Sequence, residues 1–550
     1  MKLLIIPNAK IVNLDLQARY GKISPITIPV NEKITLDYIY EEYNEFYDEI
    51  VITVYEEAEK LKNIMKSRCY SKVKIKYLNG TEDIGGGVYS VLNDYNTKNI
   101  ENVSINFADT LVKEVKKLNL KKNIIYFTNV YDSSKWTTFL KKENNLVIYD
   151  KEYKEEDKYN AFIGFFNFND IGLLYKLLKH EISNLKFSKS ESFYEMIKKY
   201  NNFTKISYLL IKEWIDFGHI DNYFIAKNIL ETRYFNSINI DRKRGILLKK
   251  SENKEKLIDE IKWFLKLPEN LQWLIPKVYS YSVNLDDPWI KMEYYSYPTL
   301  HHIYLYGNYN LKKWDEIFNK LLFVQKEFQK YNLKLNHQEI KKTLKKIYFE
   351  KTINRLKLLK QDYEFKHFFE NCIYINDKKF FTLNYIIDNL EYWIVYFKLY
   401  EIEELNIIHG DYFFANILYE PNNNIIKLVD PRGEFGGYGI YGDKYYELAK
   451  LAHSIDGMYD FIVEDIFSIE KKTNGFNYKI NYEEKYNFIK HLFYSKFTNI
   501  EKNKIKFIQA LLFLSMIPLH KDKPDRQKIM LGIGMEILNK LLESENIKND

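Results

Sequence analysis

Cysteine is almost absent from this chain: its 550 residues contain two, Cys69 and Cys372. Two residues so far apart in sequence exclude a disulfide framework and a zinc site built from cysteines. Thiols kept reduced are typical of the cytoplasm, and we expect the protein to be cytoplasmic.

Long apolar runs are also missing. The longest, residues 507–519, is interrupted by Gln509, Ser515 and Pro518 and falls short of the roughly 20 residues that a membrane span needs. The apolar run that starts at residue 3 is too short for a signal peptide. We therefore expect no membrane span, and a core helix at 507–519.

Neither sign of charge predominates in the sequence. Lys and Arg number 82 against 75 Asp and Glu, a net charge of +7, and the two signs are interleaved. The sequence shows no basic stripe with stacking aromatics, so nucleic acid is not expected as a partner. Because Lys and Tyr are over-used throughout, a single one of either has little meaning as a functional signal.

The remaining composition is that of a folded, multidomain protein. Hydrophobic residues make up 46% and charged residues 29%, which excludes wholesale disorder. At roughly 100–200 residues per domain, the length predicts at least two domains. Residues 1–230 alternate apolar strands with helical stretches, which predicts an α/β domain with a mainly parallel sheet.

The pattern changes near residue 230. Residues 237–250 predict a hairpin, Ser251 predicts the cap of a helix running to about residue 266, and residues beyond 311 are mostly helical. We therefore predict a second domain at 231–550, with a small β-rich lobe at about 231–298 and a helical lobe at about 299–550.

The strongest local signal lies in that second domain. Residues 407–418 read Ile-Ile-His-Gly-Asp-Tyr-Phe-Phe-Ala-Asn-Ile-Leu, and residues 425–433 read Ile-Ile-Lys-Leu-Val-Asp-Pro-Arg-Gly. An apolar strand thus delivers Asp411, Asn416 follows five residues later, and a second strand ends at Asp430. Phosphoryl transfer needs a carboxylate for the acceptor hydroxyl, and an amide and a carboxylate that hold Mg²⁺.

This segment resembles the catalytic segment of the aminoglycoside phosphotransferase and choline kinase family. The resemblance implies an α+β bilobal kinase-like fold, with Asp411 as the catalytic carboxylate and Asn416 and Asp430 as Mg²⁺ ligands. It departs from protein kinases, which have His-Arg-Asp and Asp-Phe-Gly at these places. His409 is predicted to be structural, and Asp443 to anchor the catalytic loop.

The family also needs a strand lysine for the ATP phosphates and a helix glutamate that holds it. Lys249 paired with Glu260 is the preferred assignment. Lys250 stays open, because adjacent strand residues point to opposite faces and the inward face is unknown. The resemblance places Ser237 in the loop over the nucleotide and Glu293 in the hinge beside the adenine.

Two carboxylates stand out in the first half. Asp109 follows a predicted strand in Ile-Asn-Phe-Ala-Asp-Thr (105–110), and Asp216 lies in Trp-Ile-Asp-Phe-Gly-His (214–219). Together with residues 21–30 they resemble the pattern of sugar-phosphate nucleotidyltransferases. That resemblance implies a Rossmann-like domain, with both aspartates as Mg²⁺ ligands for CTP or another nucleoside triphosphate. The nucleobase loop would be Gly85, Gly86 and Gly87; residues 7–14, where the family has a glycine-rich loop, contain no glycine.

Over its whole length the chain resembles two-domain bacterial proteins of capsule and lipopolysaccharide biosynthesis. The function this implies is an ATP-dependent kinase of a small hydroxyl compound, such as a choline-like alcohol, a sugar or a polyol, with a nucleotidyltransferase domain that is active or inactive. One alternative is a nucleotide- or sugar-binding regulatory or scaffold protein; an aminoglycoside-modifying kinase is less favoured. The acceptor, the nucleotide preference and the oligomeric state stay open.

Overall fold

A computed structural model describes residues 1–68, 70–80, 83–113, 120–142, 145–152, 158–183, 191–230 and 238–547. The chain divides into two compact units. The first contains Met1–Met65 and Cys69–Thr232, and the second contains Lys66–Arg68 and Arg233–Asp550.

The first unit alternates strands and helices. Its strands are β1 (Lys2–Asn8), β2 (Pro29–Val30), β3 (Lys33–Ile34), β4 (Glu49–Val54), β5 (Val73–Tyr77), β6 (Asn102–Asn106), β7 (Thr110–Val112), β8 (Ile124–Val130), β9 (Thr137–Lys142), β10 (Asn145–Asp150), β11 (Tyr159–Phe168), β12 (Ser207–Leu210) and β13 (Trp214–Asp216). Its helices are α1 (Leu14–Tyr20), α2 (Thr35–Tyr43), α3 (Ala58–Ser67), α4 (Ile84–Leu92), α5 (Ile171–Ser183), α6 (Glu191–Phe203) and α7 (Ile220–Ile229).

The main sheet of this unit is mixed, with a parallel centre. Its order is β10-β9-β11-β6-β1-β4-β5, and β8 pairs with β11 and β12. Strands β6, β1, β4 and β5 run parallel, and β4 is buried along nearly its whole length, as its unbroken apolar sequence predicts. The carboxyl ends of β1, β4 and β6 therefore meet at one edge, which is where α/β sheets place ligands.

Strand β11 makes the other side of the sheet antiparallel. It pairs antiparallel with β6, β8 and β9, and its register shifts between Phe162 and Phe166. Gly164 lies in that irregular stretch with φ +85°, and a Cβ there would lie 2.7 Å from the ring of Phe107. The bend therefore requires glycine, because a side chain would be strained and would clash.

The second unit begins with strands and continues mainly with helices. Its strands are β14 (Ile238–Asp241), β15 (Ile246–Lys250), β16 (Val278–Ser282), β17 (Trp289–Glu293), β18 (Asn332–Leu333), β19 (Ile373–Ile375), β20 (Lys378–Phe380), β21 (Leu405–Ile407), β22 (Ile417–Glu420), β23 (Ile425–Leu428), β24 (Tyr441–Gly442), β25 (Phe467–Lys472) and β26 (Gly475–Ile480). Its helices are α8 (Lys254–Lys266), α9 (Leu300–Tyr306), α10 (Leu311–Gln329), α11 (His337–Leu344), α12 (Lys351–Leu358), α13 (Leu383–Tyr396), α14 (Lys444–Ile455), α15 (Tyr459–Val463), α16 (Lys485–Tyr494), α17 (Asn499–Met516) and α18 (Pro524–Ser544); a π-helical segment, Lys345–Glu350, joins α11 to α12.

The predicted hairpin at 237–250 is confirmed as β14 and β15, which join β17 and β16 in one antiparallel sheet. The predicted helix to residue 266 is confirmed as α8, but its cap is not Ser251. Asn253 caps it, with a side chain that accepts a hydrogen bond from the Lys256 amide at 3.1 Å. The helix starts too late for the Ser251 hydroxyl, which instead accepts from the Asn253 amide.

The apolar segment at 507–519 is confirmed as part of the core. It forms the end of α17 and the short helix after it, and nearly all of its side chains are buried. No helix that the structure describes combines the length and the hydrophobicity needed to cross a bilayer.

Candidate active site

The lysine that faces inward from β15 is Lys249. Its Nζ lies 2.8 and 2.7 Å from the two carboxylate oxygens of Glu260 on α8, and 2.8 Å from Oδ1 of Asp430. Lys250 points to the other face, where it pairs with Asp287 and is 47% exposed, against 16% for Lys249. The strand alternation thus separates the two lysines, and the structure joins three sequence-predicted residues in one network.

Burial shifts the pKa values of the charged groups in this network. Burial lowers the pKa of Lys249, but the carboxylates of Asp430 and Glu260 outweigh it and leave that pKa above its ordinary value. For Glu260, burial is the stronger effect and raises the pKa to about 7 despite the neighbouring Lys249. A buried lysine held between two carboxylates stays charged, which is what binding to phosphate requires.

Asn416 joins the catalytic segment to Asp430. Its side-chain amide donates to the backbone oxygen of Asp411 at 3.0 Å and to that of Asp430 at 3.4 Å. Asp430 has φ +55°, a left-handed backbone that is uncommon for non-glycine residues and that aspartate tolerates better than most. The amide nitrogen of Asn416 is thus engaged by the protein, which leaves its amide oxygen as the atom for a metal.

Asp411 presents its carboxylate next to a buried lysine. Nζ of Lys450 on α14 lies 3.0 Å from Oδ1 of Asp411. Burial raises the pKa of Asp411, but Lys450 and Arg432 outweigh it and lower that pKa to about 2. Asp411 is therefore ionised across the physiological pH range and can orient a hydroxyl that donates to it.

The loop that carries Asp411 is held from α14 by Glu447. The carboxylate of Glu447 accepts hydrogen bonds from the amides of His409 and Gly410 at 2.9 and 2.6 Å. Asp443, predicted to anchor this loop, instead caps α14 and accepts from the hydroxyl of Tyr348 at 2.6 Å. The anchor is thus four residues further along, on the helix face that the cap itself cannot reach.

His409 is buried and neutral. Burial lowers the pKa of its imidazole to about 4, and Nε2 donates to the backbone oxygen of Val429 at 2.9 Å. This bond ties the loop to the end of the strand that delivers Asp430, which is the structural role predicted for His409.

Two glycines that the sequence did not single out, Gly410 and Gly433, allow backbone segments of the site to pack closely against their neighbours. Gly410 has φ +81°, and a Cβ there would lie 2.6 Å from the side chain of Arg432. Gly433 also has φ +81°, and a Cβ there would collide with the backbone of α8 at Asp259. The segment after Asp430 therefore packs directly on the helix that carries Glu260, which sets the position of Asp430 relative to Lys249.

Glu293 ends β17, and Ser237 lies outside the described residues. The backbone amide of Glu293 donates to the backbone oxygen of Lys277 at 2.8 Å, so this amide is already engaged within the protein. Its side chain lines a cavity of about 360 Å³ together with Gln272, Lys277 and Lys427. Nucleotide contact by Glu293 and by Ser237 stays a prediction.

The donor set of this site fits Mg²⁺. Oxygen ligands suit the ion, and Mg²⁺ in nucleotide sites usually takes one or two protein ligands and completes its shell with phosphates and water. Asp430 is 57% exposed on its side chain although Lys249 holds one of its oxygens, and the side-chain amide of Asn416 contacts the backbone oxygen of Asp430 at 3.4 Å. Among the residues that the structure describes, no three His, Cys, Asp or Glu side chains form a closed metal cluster.

The first unit brings Asp109 and Asp216 together. Strands β7 and β13 pair so that Asp216 lies opposite Thr110, and the amide of Phe217 donates to the backbone oxygen of Asp109 at 2.8 Å. Burial, and then the negative charge of Asp216, raise the pKa of Asp109 to about 6. Two carboxylates in mutual repulsion are stabilised by a shared divalent cation, so the pair fits Mg²⁺.

Three protein donors already bind Asp216. Its Oδ1 accepts from the Gly218 amide at 2.9 Å, and its Oδ2 accepts from His219 Nδ1 and Asn222 Nδ2, each at 2.8 Å. Burial lowers the pKa of His219, but the hydrogen bond to Asp216 outweighs it and leaves that pKa raised. A cation at Asp216 would therefore share this carboxylate with His219, a residue that the sequence analysis overlooked although it lies three positions away.

The three glycines at 85–87 are buried in the first turn of α4. A Cβ at Gly85 would lie 2.6 Å from Oγ of Ser192 on α6, and one at Gly87 would lie 3.3 Å from Oγ1 of Thr53 on β4. Close packing of α4 against its neighbours thus accounts for two of these glycines. Contact with a nucleobase by Gly85, Gly86 and Gly87 stays a prediction.

Comparison with known proteins yields similarity of structure only. No protein-family model matches the chain, and no curated protein matches it. HddC from Yersinia pseudotuberculosis complexed with GMP-PN is 15% identical with a TM-score of 0.34, and CTP:phosphocholine cytidylyltransferase from Streptococcus pneumoniae is 12% identical with a TM-score of 0.34. Each match covers 42% of this chain and 99% of the other. The geometry of the sites, rather than these likenesses, supports the function proposed below.

Proposed function

We propose that the second unit is an ATP-dependent phosphotransferase acting on a hydroxyl group of a small molecule. The observation that carries this proposal is the network of Lys249, Glu260 and Asp430, which lies in one site with Asn416 and Asp411. A charged lysine, two candidate metal ligands and an ionised carboxylate are the groups that phosphoryl transfer requires.

In this reaction Asp411 orients the acceptor hydroxyl and takes its proton. The hydroxyl oxygen forms a bond to the γ-phosphorus of ATP while the bond from that phosphorus to the bridging oxygen of ADP breaks. Because the pKa of Asp411 is about 2, its main contribution is orientation, with proton transfer late in the reaction. Lys249 binds the ATP phosphates, and Mg²⁺ held by Asp430 and Asn416 would neutralise phosphate charge.

The adjacent lysines of β15 offer a matched test of this site. We expect Lys249→Met to weaken Mg·ATP binding by about 10–100-fold, since a hydrogen bond between charged groups contributes about 1.5–3 kcal/mol. Lys250→Met removes the same charge from the opposite face of the strand, where Lys250 pairs with an exposed carboxylate, and should leave binding unchanged. Calorimetric titration of the full chain with Mg·ATP measures both, and equal losses would contradict the assignment.

The convergence of Asp109 and Asp216 favours a second activity, nucleotidyl transfer in the first unit. Here an oxygen of a phosphate monoester attacks the α-phosphorus of CTP or another nucleoside triphosphate, and pyrophosphate leaves. Mg²⁺ held by the two aspartates would stabilise charge on the α-phosphate. The rival is a domain that binds a nucleotide or a sugar without catalysis. A role in surface polysaccharide biosynthesis rests on the resemblance and stays a prediction.

Asp109→Asn separates these two possibilities. For an active domain, we expect this variant to lose pyrophosphate release by at least about tenfold, because even a hydrogen bond that only supports a metal ligand is worth roughly 10–100-fold in metal affinity. Kinase turnover in the second unit should persist. Asp94→Asn, which removes an exposed carboxylate paired with Lys76, is the control. If the unsubstituted protein releases no pyrophosphate with any nucleoside triphosphate and phosphorylated acceptor, the binding domain is the correct alternative.

A further inference from the structure

Three cationic side chains surround Tyr446 beside the proposed catalytic aspartate. The charged groups of Lys351, Arg432 and Lys450 lie 5.3, 5.7 and 5.8 Å from the centre of the Tyr446 ring. Arg432 Nη1 also donates to the Tyr446 hydroxyl at 2.6 Å, and Lys351 Nζ donates to it at 3.3 Å.

These cations have too few carboxylates among the residues that the structure describes. Lys450 pairs with Asp411 at 3.0 Å. Neither Lys351 nor Arg432 has a described carboxylate within ion-pair distance, and Asp411 and Glu434 act on Arg432 only from further away. Arg355, whose side chain donates to the backbone oxygen of Ser515 at 3.1 Å, adds a further positive charge.

The concentration of positive charge shifts the pKa values of Lys351 and Tyr446. Burial, together with repulsion by Arg432, Lys450 and Arg355, lowers the pKa of Lys351 to about 8. Burial raises the pKa of Tyr446, but the surrounding cations outweigh it and lower that pKa to about 7. A partly ionised Tyr446 and Asp411 balance only part of the charge of Lys351, Arg432 and Lys450. Burial of cations is unfavourable unless anions pair with them, so the cluster favours a further anion.

The cluster is built from the elements that form the catalytic site. Arg432 follows Asp430 by two residues and packs against Gly410, while Lys450 lies on the helix whose Glu447 holds the Asp411 loop. Lys351 begins α12 directly after the π-helical segment, a geometry found often at functional sites. Lys351 and Arg432 each keep part of their surface exposed.

We propose that the acceptor of this kinase is a hydroxyl compound that also carries an anionic group, a phosphate or a carboxylate, bound by Lys351 and Arg432 beside Asp411. This inference rests on the proposed function, because it assigns the acceptor class of the same site. Arginine and lysine are the usual ligands of both anions. An acceptor of this class differs from choline-like alcohols and aminoglycosides, whose positive charge the cluster would repel.

The test is titration of the full chain with inorganic phosphate while a non-hydrolysable ATP analogue and Mg²⁺ saturate the nucleotide site. We expect phosphate to bind and to raise the melting temperature, and Lys351→Met to weaken that binding by at least about tenfold, the effect of about 1.4 kcal/mol. Lys250→Met should bind phosphate like the unsubstituted protein. Absence of phosphate binding, or equal affinity in Lys351→Met, would overturn the inference.

Folding of the variants is checked by their melting temperatures without phosphate. Lys351→Met should melt no lower than the unsubstituted protein, because it removes a repelled, partly buried charge. Arg432→Lys keeps the positive charge but loses the planar guanidinium group. Its phosphate affinity should therefore fall between that of the unsubstituted protein and that of Lys351→Met. If Arg432→Lys and Lys351→Met both fold and both bind phosphate normally, the cluster is not an anion site.

Competition distinguishes the two anion sources. Glucose 6-phosphate and glucuronate displace bound phosphate if the site accepts a phosphate or a carboxylate respectively, whereas glucose and choline should not. Displacement by glucose or choline at lower concentrations than by either anion would overturn the inference. Phosphate binding without transfer to any acceptor would contradict the kinase but keep the anion site; transfer to choline that Lys351→Met leaves unchanged would do the reverse.

Discussion

Asp411→Asn should lower phosphoryl transfer by a factor on the order of 10²–10⁴, the usual contribution of a positioned acid–base group. The amide keeps the shape of the side chain, but it lacks the negative charge that orients the acceptor hydroxyl and it cannot take the proton of that hydroxyl. Affinity for Mg·ATP should change little, because the carboxylate faces Lys450 while the nucleotide network is formed by Lys249, Glu260 and Asp430. The measurement is steady-state ADP formation together with calorimetric nucleotide binding.

The matched control for this prediction is Asp287→Asn. It removes a carboxylate from an exposed ion pair with Lys250 in the same unit. Turnover should stay the same in this variant, since exposed ion pairs contribute about 0–1 kcal/mol. Unchanged turnover in Asp411→Asn would contradict the role of Asp411, and a parallel loss of nucleotide binding would show that the substitution disturbed the whole site.

Asp430→Asn should abolish most of the Mg²⁺-dependent part of ATP binding. A direct ligand should contribute at least the roughly 10–100-fold that a supporting hydrogen bond to a metal ligand contributes. Asparagine is the suitable replacement, because it tolerates the left-handed backbone at φ +55° while it removes the charge. Titration with ATP, with and without Mg²⁺, measures the effect directly.

The same substitution also affects Lys249. Loss of Asp430 leaves Glu260 as its partner, so Lys249 stays charged, and Mg²⁺-free ATP binding should persist. Asn416→Ala should weaken Mg·ATP binding less, because Asn416 offers an uncharged oxygen. Normal Mg·ATP affinity in Asp430→Asn would show that the second strand of the motif does not end at the metal.

Much of the candidate site could be predicted from local sequence. Asp411, Asn416 and Asp430 lie within 20 residues of one another, and the two short strands between Asn416 and Asp430 pair as a local hairpin that brings its two ends together. Local sequence likewise predicted the hairpin of β14 and β15, helix α8 and the buried end of α17, from alternation, a turn, a helix cap and an apolar run. These are local features, in which the spacing of apolar residues determines which side chains face inward.

Features that join distant segments could not be predicted in this way. The choice of Lys249 over Lys250 depends on which face of β15 meets α8 and Asp430. Side chains alternate between the two faces of a strand, and the sequence of β15 does not show which face is inward. The loop anchor is Glu447 rather than Asp443, because α14 turns the later residue toward the amides of His409 and Gly410. Asp443 and Glu447 lie about one helical turn apart, and the sequence does not show which of them faces the loop.

The order of chemical groups along the chain can be read without a structure: Asp411, Asn416 and Asp430 around two strands, a lysine and a glutamate upstream, and two aspartates in the first half. Which side chains meet depends on the fold. The fold brings Asp109 to Asp216 and gathers Lys351, Arg432 and Lys450 around Tyr446. Sequence alone cannot predict such charge clusters, because Coulomb interactions depend on distance and burial and not on separation in sequence.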